Sequence, residues 1–141
     1  MQSQPYRIKV WAGRLISASV ALIMVLDAAV NLLSPQSIAE EQAKVGFAPG
    51  SSTALGIIML ICAAAYVIPR TAVIGAILIT AFFGGAICAH FRIGETAAPP
   101  QLLAIVVAAL AWFGLWLRNG VIRQAISLGT VADDRPYQAA L

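Results

Sequence analysis

The chain has 141 residues, 60% of them hydrophobic and only 11% charged, where a soluble domain carries about a quarter charged residues. That balance, with a mean hydropathy of +0.86, excludes an ordinary water-soluble domain and fits one domain in a bilayer. The net charge of +3 does not indicate nucleic acid, because the nine Lys and Arg residues stand singly between apolar runs and form no basic patch.

Roughly 20 apolar residues rising about 1.5 Å each cross a hydrocarbon core of about 30 Å, and four such segments fit in this chain. The first apolar run is Leu15 to Leu33, preceded by Arg7, Lys9 and Arg14, and the span is expected over about 12–33. A basic start before an apolar stretch is also the pattern of a signal peptide. The length of the run, the lack of a small-residue cleavage site after a short core and the three spans that follow favour a retained helix.

The only sizeable loop comes next. Ser34 and Pro35 form an N-cap and a first-turn proline, Glu40 and Lys44 are spaced i,i+4, and Gly46 is placed to end the helix. Ile38, Gln42 and Val45 share one face. This segment reads as a short amphipathic helix on the bilayer surface or capping the bundle, broken by Pro49-Gly50. The second span is expected over about 51–68 and the third over about 71–91. Only Pro69 and Arg70 lie between them, so these two helices must be antiparallel neighbours. The fourth follows Pro99-Pro100 and covers about 100–117. The tail, 118–141, begins as a surface helix and loses periodicity near Asp133-Asp134; its last ten or so residues are expected to be disordered. The predicted fold is all-α: a single membrane domain forming a four-transmembrane-helix bundle, with a short interfacial helix between the first and second spans.

Charge sets the expected orientation. Arg7, Lys9, Arg14, Arg70, Arg118, Arg123 and Arg135 fall on one side, Lys44 and Arg92 on the other. Basic residues in short flanks mark the cytoplasmic face, so both termini are expected inside, in the inner (plasma) membrane of the cell. Trp11, Tyr66 and Trp116 then lie at the cytoplasmic boundary, where aromatic rings favour the interface. Gly13, Ser17 and Ala21 on the first helix, and Thr80, Gly84 and Cys88 on the third, repeat every four positions. Such stripes permit close helix packing in lipid.

Asp27 is the most informative residue. It is the only acid inside a span, and a carboxylate there costs a few kcal/mol on insertion scales unless protonated, paired or hydrated. Asn31 lies one turn later. The structural reading is a hydrogen-bond anchor between helices; the functional one is ligand or proton handling. His90, the single histidine, ends the third helix and is followed by Arg92 and Glu95. Antiparallel packing puts these at the depth of Asp27, with Gln101 entering the fourth helix nearby. The candidate ligand site therefore gathers Asp27, Asn31, His90, Arg92 and Gln101. His90 also fits an interfacial histidine facing water, and a haem held by two histidines would need a second chain. No metal site and no complete catalytic constellation is expected. Cys62 and Cys88 lie about 9 Å and about 26 Å from the cytoplasmic end of their helices, too far apart for a bridge that needs Cα atoms within about 7 Å. Both are expected to be free, small packing residues.

Three landmarks carry a family resemblance: the junction Ile68-Pro69-Arg70-Thr71, the run Gly84-Gly85-Ala86 leading to His90-Phe91-Arg92, and the outer Val45-Gly46-Phe47. Over about residues 10–128 the chain resembles the DoxX-like family of small four-helix membrane proteins. The resemblance implies relatives that include membrane subunits linked to thiosulfate–quinone oxidoreduction and to bacterial redox complexes, and a receptor assembly chaperone. The family pattern often has a Lys near the end of helix 1, where this chain has Asn31. A helix 1 Asp–Lys pairing is therefore not carried over, and Asp27 must be protonated or find Arg92. Fold does not fix activity, and three functions follow. One is an accessory subunit of membrane redox chemistry, with a quinone-like lipophilic ligand as possible cofactor. The second is a non-enzymatic assembly factor that binds a membrane-protein partner or a second copy of itself. The third, a small multidrug-type transporter, fits poorly with so strong a charge bias.

Overall fold

The computed structural model describes residues 4–33 and 35–124. Five helices account for most of them: α1 (Gln4–Leu33), α2 (Pro35–Lys44), α3 (Ser51–Val67), α4 (Ala72–Arg92) and α5 (Pro99–Arg118); none of the described residues is in a strand. Three stretches are long and apolar enough to cross a membrane, namely Tyr6–Leu33, Ala72–Arg92 and Pro99–Arg118. The fourth apolar helix, α3, has 17 residues, which is about 26 Å of rise and slightly under a full hydrocarbon core. The helix from Gln4 begins well before the expected residue 12, because no proline, glycine or capping residue interrupts Tyr6–Ala12. Ser34, expected to cap α2, and residues 125–141 lie outside the described residues.

The long helices form a ring. α1 packs on α3 and α5, α4 packs on the same two, and α2 rests on α1 and α3. Val20, Met24 and Ala28 of α1 meet Met59 and Tyr66 of α3, Ile79 and Phe83 of α4, and Val107, Ala111 and Leu115 of α5 in one buried cluster. The outer faces carry exposed large apolar side chains, among them Leu22, Ile61, Ile74 and Leu103. So much outward-facing apolar surface suits lipid and not water.

Small residues make the closest approaches. A Cβ on Gly13 would lie 2.7 Å from Leu117 Cβ and 2.9 Å from the Gly114 carbonyl, and one on Gly114 would lie 2.8 Å from Ser17 Oγ. The Gly13–Ser17 stripe is thus the seam between α1 and α5, as small-residue packing in lipid predicts. The second stripe differs. Nothing lies within 4 Å of a Cβ built on Gly84 and Cys88 is exposed, so the stripe makes no close backbone seam; Thr80 alone reaches a neighbour, its hydroxyl oxygen accepting the Trp112 Nε1–H of α5 at 2.9 Å. Gly75, not Gly84, is where α4 meets α3: its Cβ would overlap the Tyr66 main chain.

Tyr66, in the last turn of α3, turns into the bundle: it is fully buried, at 0% exposure, while Trp11 stays 58% exposed. Its hydroxyl donates to Ala111 O at 2.7 Å, so the Ser17 hydroxyl 3.0 Å away must donate to it. One phenol therefore ties α1, α3 and α5 together, satisfying the rule that a buried hydroxyl finds partners. Tyr66→Phe is expected to leave Ser17 and Ala111 O short of a partner and to cost about 1–3 kcal/mol. Thermal unfolding in detergent measures this directly; an unchanged midpoint would remove Tyr66 as the tie.

Candidate functional site

The site grows from the end of the ring where α2 sits. α1 and α4 lie diagonally opposite and do not pack against each other, so space opens between them near their α2 ends. Two cavities share a wall there, made by Asp27, Asn31, Ala86, His90 and the Pro99-Pro100 pair. The outer one, about 390 Å³, is rimmed by Glu41, Lys44 and Glu95. The deeper one, about 600 Å³, runs between Ile23, Met59, Phe82, Phe83 and Val107. A polar antechamber thus opens onto an apolar chamber, with Asp27 and His90 at the junction.

Asp27 is exposed into this space, and its neighbour Asn31 is 7% exposed. The Asn31 amide donates to the Asp27 carbonyl at 2.9 Å and reaches its Oδ1 only at 3.4 Å. Asn31 Oδ1 in turn accepts from Gln42 Nε2 at 2.9 Å, and Gln42 Oε1 accepts from Ser52 Oγ at 2.8 Å. This chain of hydrogen bonds clips α2 over the ends of α1 and α3. Gln42 and Ser52 were not among the expected site residues. The shared face of Ile38, Gln42 and Val45 held the clue to Gln42: a polar residue on the inner face of an amphipathic helix needs a polar partner beneath it.

The other expected residues divide. His90 joins Asp27 in both cavities, and its Nδ1 pairs with Glu95 Oε2 at 2.7 Å. Gln101, 3% exposed, lines the deeper chamber, yet its amide is engaged by the main chain. Its Oε1 accepts the Ala98 N–H at 2.9 Å, and its Nε2 donates to Glu95 O at 3.0 Å. It holds the 93–98 turn onto the start of α5. Arg92 stands apart from both chambers. Its guanidinium donates to Val45 O at 2.8 Å and, with Gly85, Cys88 and Phe47, lines a separate surface pocket. Of the two alternatives for Asp27, pairing with Arg92 is not realised; Arg92 instead forms a clip from α4 to the loop after α2. The reason is register: Arg92 closes α4, two residues after His90, and points away from the diagonal gap. Cys88 is exposed beside it, and only Cys62 is a buried packing residue.

Gly46 makes that clip possible. Its φ is +85°, and a Cβ there would fall on the Arg92 guanidinium. Gly50, at φ +87°, has open space around it. Gly46→Ala is expected to cost more than Gly50→Ala, which incurs only the left-handed penalty of about 1–2 kcal/mol. Limited proteolysis of the 45–50 loop would show the difference as faster cleavage in Gly46→Ala alone; equal rates would mean Arg92 does not hold the loop.

A bundle of apolar helices with an amphipathic cavity at one end, capped by a short surface helix, defines a small helical membrane protein with an interhelical chamber. The model of the DoxX-like family matches residues 15–114, and the chain belongs to that family. Comparison with curated proteins and with solved structures finds no match.

Proposed function

We propose that this protein is an accessory membrane subunit that holds an amphiphilic, quinone-like small molecule between α1 and α4, in support of membrane redox chemistry. The shared wall of the two cavities carries the reading: polar Asp27, Asn31 and His90 face the space that leads down to Phe82, Phe83 and Met59. A head with two or more hydrogen-bonding oxygens suits the antechamber, and an apolar tail suits the chamber below, as lipophilic sites usually combine few polar groups with apolar walls. Asp27 and His90 are the groups that would meet the head. Asn31 and Gln101 position the walls, and Arg92 holds the covering loop. Membership in the DoxX-like family, whose relatives include redox-linked subunits, supports the redox assignment.

The proposal includes four spans, with α3 crossing a locally thinned bilayer or with its flanks filling the shortfall, and both termini in the cytoplasm. Lys and Arg counted in the short flanks support this orientation. Reporter fusions at Gly46 and Gly120 test it: the Gly46 fusion is expected to be active outside and the Gly120 fusion inside. The reverse pattern would overturn the topology.

Mass spectrometry of small molecules extracted from gently purified protein tests the ligand. A prenylated quinone or similar redox amphiphile at near-stoichiometric amount is the expected result. An empty protein that co-purifies with one defined membrane-protein partner would favour the assembly-factor reading instead.

A further inference from the structure

The opposite end of the ring holds a second polar site that the ligand chamber does not use. Arg118, the last residue of α5, lays its guanidinium over the Tyr66 ring at 4.9 Å and donates from Nη2 to Tyr66 O at 2.8 Å. Its Nε is buried without a hydrogen-bond partner. Arg14 of α1 lies over the Trp11 ring at 5.5 Å. Both arginines line one cavity of about 290 Å³, closed by Ser17, Ala18, Ala21 and Val67. Among the described residues, no carboxylate lines it.

Two cationic side chains line one pocket, and each guanidinium carries five donors. One of the two has a donor buried with nothing to accept it, a position that costs about 1–3 kcal/mol if it stays unpaired. Both guanidiniums lie over aromatic rings, contacts that neutralise neither charge. What the cavity lacks is an anion with several acceptor oxygens. Ala18 and Ala21 give the pocket an apolar wall on α1. The depth is also telling: Tyr66 and Arg118 close α3 and α5, so the cavity lies where the apolar spans end. Basic pockets between membrane helices at that level recognise anionic lipid headgroups.

We propose that Arg14 and Arg118 form a binding site for the phosphate of an anionic phospholipid, with the start of an acyl chain against Ala18 and Ala21. The guanidiniums take the non-bridging phosphate oxygens, a pairing that Arg geometry favours. This site is independent of the ligand chamber, which lies at the other end of α1.

Purified protein in detergent, stripped of lipid, is titrated with dioleoylphosphatidylglycerol or dioleoylphosphatidylcholine and bound lipid is counted by native mass spectrometry. The expected result is retention of about one phosphatidylglycerol per chain, with phosphatidylcholine held about tenfold more weakly, the size of one charge-assisted contact. Arg118→Gln also removes the bond to Tyr66 O and can unfold the bundle, so Arg14→Gln is the working variant. It keeps every hydrogen bond described above and is expected to lose that preference while melting near the parent. Equal retention of the two lipids by the parent, or an undiminished preference in folded Arg14→Gln, would overturn the site. Inorganic phosphate is the third arm. Thermal stabilisation by phosphate equal to that by phosphatidylglycerol would overturn the lipid assignment in favour of a free phosphate anion.

Discussion

Asp27→Asn is expected to leave the protein folded and to empty the chamber of the small molecule proposed to occupy it. The structure makes the two halves of that result separable. The anchor at this level of α1 is the Asp27 main-chain carbonyl, which accepts from Asn31 at 2.9 Å, whereas the carboxylate accepts only a long 3.4 Å contact. An Asn amide oxygen can replace that acceptor. Asn is close to Asp in size and brings no new charge into the span. The variant should therefore melt near the parent. The Asp27 side chain is open to both cavities, so the loss should appear in the bound small molecule. Thermal unfolding beside extraction and mass spectrometry reads both halves at once. A stable Asp27→Asn protein that keeps its ligand would take Asp27 out of the site.

The largest effect on folding is expected at Gly75. An added methyl would overlap the Tyr66 main-chain nitrogen and Cα and come within 2.7 Å of the Ala65 carbonyl carbon. These are backbone atoms of the last turn of α3, and they cannot rotate away as a side chain can. The hairpin has to open, which also moves the buried Tyr66 off Ser17 and Ala111. Gly75→Ala is expected to cost about 3 kcal/mol or more, the upper range for overpacking. Gly84→Ala is the control nine residues along the same helix. Its methyl enters open space, and alanine is the better helix former by about 1 kcal/mol. The pair should move in opposite directions in detergent melting. A Gly75→Ala protein as stable as Gly84→Ala would mean that the helices approach each other elsewhere.

The helices could be read from the residues because each property involved is local. Apolar runs of sufficient length, the Pro69-Arg70 break and the Pro99-Pro100 start placed the termini of α3, α4 and α5 within a residue or two of where they fall. Asp27 stood out because a carboxylate in an apolar run needs a reason. His90 and Asp27 were brought together by antiparallel counting alone, which gives depth along the helices.

Direction around the helix axis is a different quantity, and that is where reading and structure part. Arg92 shares the depth of Asp27 but faces the loop after α2; Tyr66 has an interfacial composition but turns inward; Gly84 sits in a small-residue stripe that makes no close backbone seam. Composition and length thus determined the membrane class, the helical segments and the position of each polar residue along its helix, since these depend on one stretch of chain at a time. Which helices became neighbours, that α1 and α4 ended up diagonal with a chamber between them, and which glycines had to be glycine were decided only by tertiary packing, because the rotation of each helix is set by the shapes of all its neighbours together.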